Sequence, residues 1–211
     1  MIKTAVFLIG IEGSGHYLCA DLIKKSHGFK IINNDEKIYK NLLNYKSYHF
    51  EDFNRGKYFF FNNSSSDNQA FKFLKYKSNN LKDLENINFK ESFIFHTSIP
   101  YGLIRNNIYR QINIPNFPEI INFFYKKKFK IKIFHLNRNY NDCIKSIIRR
   151  NHEKNIIYSF WNVYLSNLVI NNILNKFKNY KIIKLNFEKL VDKKNFLHLK
   201  KITPKNYKKK D

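Results

Sequence analysis

The chain has few residues that would cross-link it and few that would break it. Its two cysteines, Cys19 and Cys143, form neither a Cys-x-x-Cys pair nor a zinc-ligand spacing. A disulfide framework and a thiolate metal centre are both excluded on that count. Both cysteines read as small apolar residues inside helices, in a reducing compartment. No apolar run approaches the roughly 18 residues of a membrane span. The N-terminal run "AVFLIGI" is broken at Glu12, too short for a secretory leader, and "HYLC" lacks the small residue that a lipoprotein cleavage site places before its cysteine. The expectation is a cytoplasmic protein with no membrane span.

Acidic residues are also scarce, 16 against 39 Lys and Arg, for a net charge of +23. Such a balance points toward an anionic partner. The excess is nearly all lysine, in a chain crowded with Asn, Ile, Phe and Tyr, the residues of A/T-rich codons. The lysines are spread as on a solvated surface. Arginine is the rarer cation, at Arg55, Arg105, Arg110, Arg138, Arg149 and Arg150, and half of these lie between 138 and 150. What is plentiful is core material: 43% hydrophobic residues, of which aromatics make 17% of the chain. A chain of this length buries roughly two-thirds of its unfolded surface, and we expect one domain over 1–211.

Periodicity gives the organisation. Residues 4–9 are continuously apolar, as in a strand covered on both faces. "HYLCADLIKKSH" repeats its apolar positions at helical spacing and stops at Gly28. A second strand is expected at 29–32, which completes a βαβ unit. Further strands are expected at 92–98, 130–136 and 180–187, and helices at 117–127, 139–150 and 156–177. Residues 46–90 read as irregular, with "FNNSSSDNQ" a loop by composition, and as the acceptor side of a site; residues 200–211 read as a basic mobile tail. Alternating strands and helices imply an α/β fold, a three-layer sandwich on a mostly parallel central sheet.

Three of the six glycines, Gly10, Gly13 and Gly15, fall in "GIEGSGHY" directly after the first strand. Glycine admits positive φ and close backbone approach, and the following helix offers free amides and a positive dipole end to an anion. The spacing from Gly10 to Gly15 is that of a Walker A loop, so the fold is expected to be P-loop NTPase-like. Where that loop carries Lys followed by Ser or Thr, this one carries His16 and Tyr17. Ordinary ATP or GTP hydrolysis is therefore not expected of it. The candidate anion-binding residues are Gly10, Gly13, Ser14, Gly15, His16 and Tyr17.

A second motif, "IFHLNRNYNDCIKSIIRR", places Arg138 after a strand and Ser146 eight residues on. With the glycine loop before it and "LNFEKL" after it, in that order, the chain resembles the sulfotransferases that use 3′-phosphoadenosine-5′-phosphosulfate (PAPS). Trp161 lies in a familiar region of that pattern, which spans the chain to about residue 190. The resemblance implies sulfuryl transfer to a hydroxyl-bearing acceptor, carbohydrate among the candidates, with adenosine 3′,5′-bisphosphate as product and no metal. It implies that the loop holds the 5′-phosphosulfate, and that Arg138 and Ser146 hold the 3′-phosphate. A guanidinium suits such a group better than an ammonium does. It also implies a catalytic base at His96, with His16 assisting the leaving group. The chain departs from the pattern at Asn139 and Tyr140, around His96, and at Gly13, where the family places a cation.

Two other readings belong to different classes. A P-loop kinase-like small-molecule phosphotransferase would share the loop, although neither its lysine nor a strand-end magnesium carboxylate is visible. A basic nucleic-acid-binding protein would follow from charge alone, but leaves the loop and the spacing from Arg138 to Ser146 unexplained.

Overall fold

The computed structural model describes residues 2–44, 48–49, 75–76, 82–85, 87–98, 113–152, 154–177 and 179–191. The acceptor-side reading of 46–90 lies for the most part outside these residues, and the tail at 200–211 and the side chain of Trp161 lie wholly outside them.

Eight strands are described: β1 (Thr4–Gly10), β2 (Lys30–Ile31), β3 (Tyr48–His49), β4 (Lys75–Tyr76), β5 (Phe93–Ser98), β6 (Asn113–Ile114), β7 (Lys130–Asn137) and β8 (Ile182–Asn186). The helices are α1 (His16–His27), α2 (Glu36–Asn44), α3 (Lys82–Glu85), α4 (Phe117–Lys126), α5 (Tyr140–Arg149), α6 (Ile156–Asn175) and α7 (Phe187–Val191). The main sheet runs β2-β5-β1-β7-β8, with every pairing parallel, and a small antiparallel sheet runs β4-β3-β6. The strand order, with a glycine loop leading from the central strand into a helix, is the α/β P-loop-like arrangement.

The apolar run at the start of the chain takes the centre because both its faces are covered. Ala5, Phe7 and Ile9 point into one core layer with Phe93, Phe95 and Ile133, under α2, α4, α5 and α6. Val6 and Leu8 point the other way, with Ile94, Phe134, Leu136 and Leu185, and meet Cys19, Ala20, Leu22 and Ile23 of α1. Three layers result. Phe7 is fully buried and meets Phe93, Phe95 and Phe117 edge-on at centroid distances of 6.2–6.5 Å. Burying one such ring contributes about 1.5–3 kcal/mol, and its edge-on neighbours add to that.

The helix ends follow local chemistry. Gly28 closes α1 at φ 67°, and its amide donates to Lys24 O at 2.8 Å. Asn116 caps α4, its side chain accepting from the Glu119 amide, with Pro118 in the first turn. The expected second strand is shorter than the apolar run, because Ile32–Asn34 turns into a 3₁₀ helix that leads to α2. Helix α2 went unanticipated: "EKIYKNLLN" follows Asn33, Asn34 and Asp35 directly. Its buried Leu42 and Leu43 join the core under β5.

Candidate functional site

Parallel strands bring their carboxyl ends to one edge, and the residues picked out in the sequence meet there. Gly10 pairs with Ser98 of β5 on one side and Leu136 of β7 on the other. Arg138 follows β7, and Phe187 follows β8. Ligands in open α/β sheets bind at this edge.

The loop is built by close contacts at its three glycines. A Cβ at Gly10 would collide with Ser14 Oγ, and one at Gly15 with the Phe187 ring. One at Gly13 would lie 3.0 Å from Cys143 O and 3.2 Å from Ser146 Cβ. Gly13 and Gly15 have φ of 80° and 86°, left-handed values that cost other residues strain. The Ser14 amide donates to Ile11 O at 3.1 Å and folds the loop over itself. Gly15 then caps α1, whose first amides have no carbonyl one turn back within the helix.

Arg138 fixes the loop from below. Its Nη1 donates to Gly13 O at 2.6 Å, and its guanidinium lies 4.3 Å above the centre of the Phe187 ring. Ser146 is buried on the same side of Gly13. Asn139, where the resemblance expected Asp, is the N-cap of α5: its side chain accepts from the Asn141 amide, and its own amide donates to Glu188 Oε1 at 3.0 Å. These contacts tie β7, α5 and α7 beneath the loop.

On the other side stands an aromatic group. The His16 and His96 ring centroids are 5.3 Å apart, and Tyr17 lies 4.6 Å from His16 and 4.7 Å from His96. Asn33 holds the His96 backbone in both directions, accepting from its amide at 3.1 Å and donating to its carbonyl. Nothing in the sequence marks Asn33 for this role beyond its place after β2. Burial, and then the charge of Arg150, lower the His16 pKa to about 4. Burial, and then His16 itself, lower that of His96 to about 3, against a small opposing effect of Asp21. Both rings are neutral at pH 7. Glu12, which the sequence showed only as an interruption of an apolar run, lies 3.7 Å from the Arg150 guanidinium.

Buried polar atoms without a hydrogen-bond partner gather here. Of nine such side-chain atoms among the described residues, five belong to this site: Ser14 Oγ, His16 Nδ1, His96 Nδ1, Arg138 Nε and Ser146 Oγ. An orphaned buried donor or acceptor costs about 1–3 kcal/mol, so their concentration around one loop marks a place where a polar ligand supplies what the chain does not. The residues present do not fit a P-loop metal site. The hydroxyl position is held by Tyr17, 62% exposed, and no group of three or more His, Cys, Asp or Glu that could hold a metal occurs among the described residues.

No family model matches the chain, and no curated protein matches it. Solved structures do. A deoxyadenosine kinase from M. mycoides with bound dATP is 16% identical, with a TM-score of 0.43 over 94% of this chain and 98% of that one. The same enzyme with products dCMP and a flexible dCDP gives 16% and 0.44 over 94% and 97%, and with bound dCTP 15% and 0.41 over the same shares.

The expected PAPS-dependent sulfuryl transfer is corrected here. Among the described residues, the two side chains expected to hold the donor's 3′-phosphate form no cradle apart from the loop. Arg138 is turned onto the loop's own carbonyl and Ser146 is packed beneath Gly13, so both halves of the motif converge on one spot. Among the described residues no helix is long and apolar enough to cross a membrane.

Proposed function

We propose that this chain is a P-loop kinase-like phosphotransferase that binds a nucleoside phosphate at the Gly10–Tyr17 loop and acts on a small molecule. The observation that carries this reading is the cradle itself: a loop whose three glycines leave no room for a Cβ, at the carboxyl edge of a parallel sheet, ringed by buried polar atoms that lack partners. Loop amides and the start of α1 bind the phosphate. Arg138 holds the carbonyl of Gly13 outward from it and so sets the loop's shape. His16 and His96, neutral and buried beside the loop, stand where a ligand's hydroxyl or amine would meet their ring nitrogens. Thr97 and Ser98 end β5 on the same side, where Ser98 pairs with Gly10; Thr97 Oγ1 donates to Ser98 O and lies 3.5 Å from Tyr39 Oη. A cytoplasmic setting belongs to the same proposal, since both thiols are free and buried.

Calorimetric titration with magnesium ATP, ATP alone, AMP and adenosine 3′,5′-bisphosphate tests this, followed by an assay of phosphoryl transfer from ATP to nucleosides and other small alcohols. ATP binding and a phosphorylated product are expected. Binding of adenosine 3′,5′-bisphosphate in preference to ATP, or no transfer to any acceptor tried, overturns it.

A further inference from the structure

The loop lacks its lysine, His16 is neutral, and Glu12 adds a negative charge, so a polyphosphate entering the cradle would meet no cation on the loop itself. Arg138 is bound to the loop's own carbonyl, and the next cation beside the loop is Arg150, at the end of α5 and 3.7 Å from Glu12. Positions 143, 146 and 150 lie on one face of a helix and the turn that follows it, being three and four residues apart. On that face Cys143 and Ser146 lie against Gly13. Arg150 is the C-cap of the same helix, its amide donating to Ser146 O at 3.1 Å. Its side chain therefore emerges beside the loop that Cys143 and Ser146 support.

We propose that Arg150 is the cation of this site, taking from α5 the part that the loop lysine plays elsewhere, and that it binds the terminal phosphates of a nucleoside polyphosphate. The inference rests on the phosphate-binding reading above. Three observations carry it. The Arg150 side chain is 43% exposed, so it can reach a ligand, whereas Arg138 has its Nη1 spent on Gly13 O. Its one described ion pair, with Glu12, is loose at 3.7 Å, and Glu12 is itself part of the loop. Its field reaches His16, the residue at the lysine position, and disfavours a proton there. Glu12 thus keeps Arg150 beside the loop, and a phosphate bound there competes with that carboxylate for the guanidinium. A guanidinium offers two parallel N–H bonds to phosphate oxygens, where an ammonium acts as a point charge. A second, independent mark of a ligand here is the unpartnered Nδ1 of His16, a side chain 4% exposed at the mouth of α1.

The experiment is a calorimetric comparison of wild type, Arg150→Ala, Arg150→Lys, Glu12→Gln and the Glu12→Gln/Arg150→Ala double variant, with ATP, inorganic pyrophosphate and AMP as ligands. Thermal unfolding of each variant confirms a folded protein. Arg150→Ala should weaken ATP and pyrophosphate by about 10–100-fold and AMP by far less. Arg150→Lys should recover part of the loss. Glu12→Gln, which releases Arg150, should tighten ATP several-fold, and that gain should vanish in the double variant. If wild type binds ATP and folded Arg150→Ala binds it equally, the assignment of Arg150 falls while the cradle stands. If Glu12→Gln tightens ATP as much without Arg150 as with it, Glu12 acts by general repulsion and the assignment also falls. If wild type binds neither ATP nor pyrophosphate, the phosphate-binding reading itself falls and takes this inference with it.

Discussion

Gly15 and Phe187 occupy the same space from opposite ends of the sequence: a Cβ at Gly15 would stand within the Phe187 ring. The ring is itself held flat beneath the Arg138 guanidinium. The left-handed N-cap of α1 and the first residue of α7 are therefore one packing unit. Gly15→Ala should destabilise the protein by about 1–3 kcal/mol, from strain at φ 86° and from the displaced ring. Phe187→Ala in the same chain should restore part of this, since it removes the collision and leaves the backbone strain. Urea denaturation of the two single variants and the double variant measures the coupling. Strict additivity of the two losses would show that the ring does not enforce the glycine.

Arg138 is expected to act on the loop and not on one end of a nucleotide. Its bond to Gly13 O is charge-assisted, and such a bond is worth about 1.5–3 kcal/mol. Arg138→Ala should speed amide hydrogen exchange across residues 13–16 and weaken ATP, AMP and adenosine 3′,5′-bisphosphate by similar factors. Arg138→Lys should restore little, because an ammonium keeps the charge but not the flat face that stacks on Phe187. A loss confined to the 3′-phosphorylated ligand, with exchange unchanged, would contradict the tether.

The buried histidines make the fold acid-sensitive in a defined window. His16 and His96 have pKa values lowered from 6.5 to about 4 and about 3. Between these values and 6.5 the unfolded chain binds protons that the folded chain refuses, so stability rises with pH there and falls as pH drops from about 6.5 toward 4. His16 alone should contribute on the order of 3 kcal/mol to that fall. His27 and His135, also lowered by burial first and a neighbouring lysine second, add to the slope. Urea midpoints at pH 7.5, 6, 5 and 4.5 should fall steeply for wild type and less steeply for His16→Gln. Identical slopes would mean that His16 is protonated in the native state.

The layered fold was legible because its signals are local. A run of five apolar residues after Thr4 demands cover on both faces, and the glycines that follow it leave few conformations for the turn into α1. The strand at 92–98, the helix at 117–127 and the alternation at 130–150 declared themselves by spacing in the same way. Residues 36–44 hid a helix because their signal is mixed: Asn and Asp precede it, and its apolar positions Leu42 and Leu43 gain meaning only against the core under β5.

The sequence by itself determined that a glycine loop follows the central strand, that its lysine is missing, and that an arginine and a serine stand eight residues apart after another strand. Each of these is a matter of order along the chain, which local chemistry expresses without help. What Arg138 and Ser146 touch was decided only by tertiary structure. Their spacing suits a hold on a distant phosphate equally well, and it is the approach of β7 and α5 to Gly13 that turns one guanidinium onto a carbonyl and buries the hydroxyl beside it. The same holds for Glu12 with Arg150 and for His16 with His96. These pairs are separated by 138 and 80 positions, and nothing short of the folded sheet sets the distance between their side chains or excludes the water that would keep the imidazoles protonatable near neutrality.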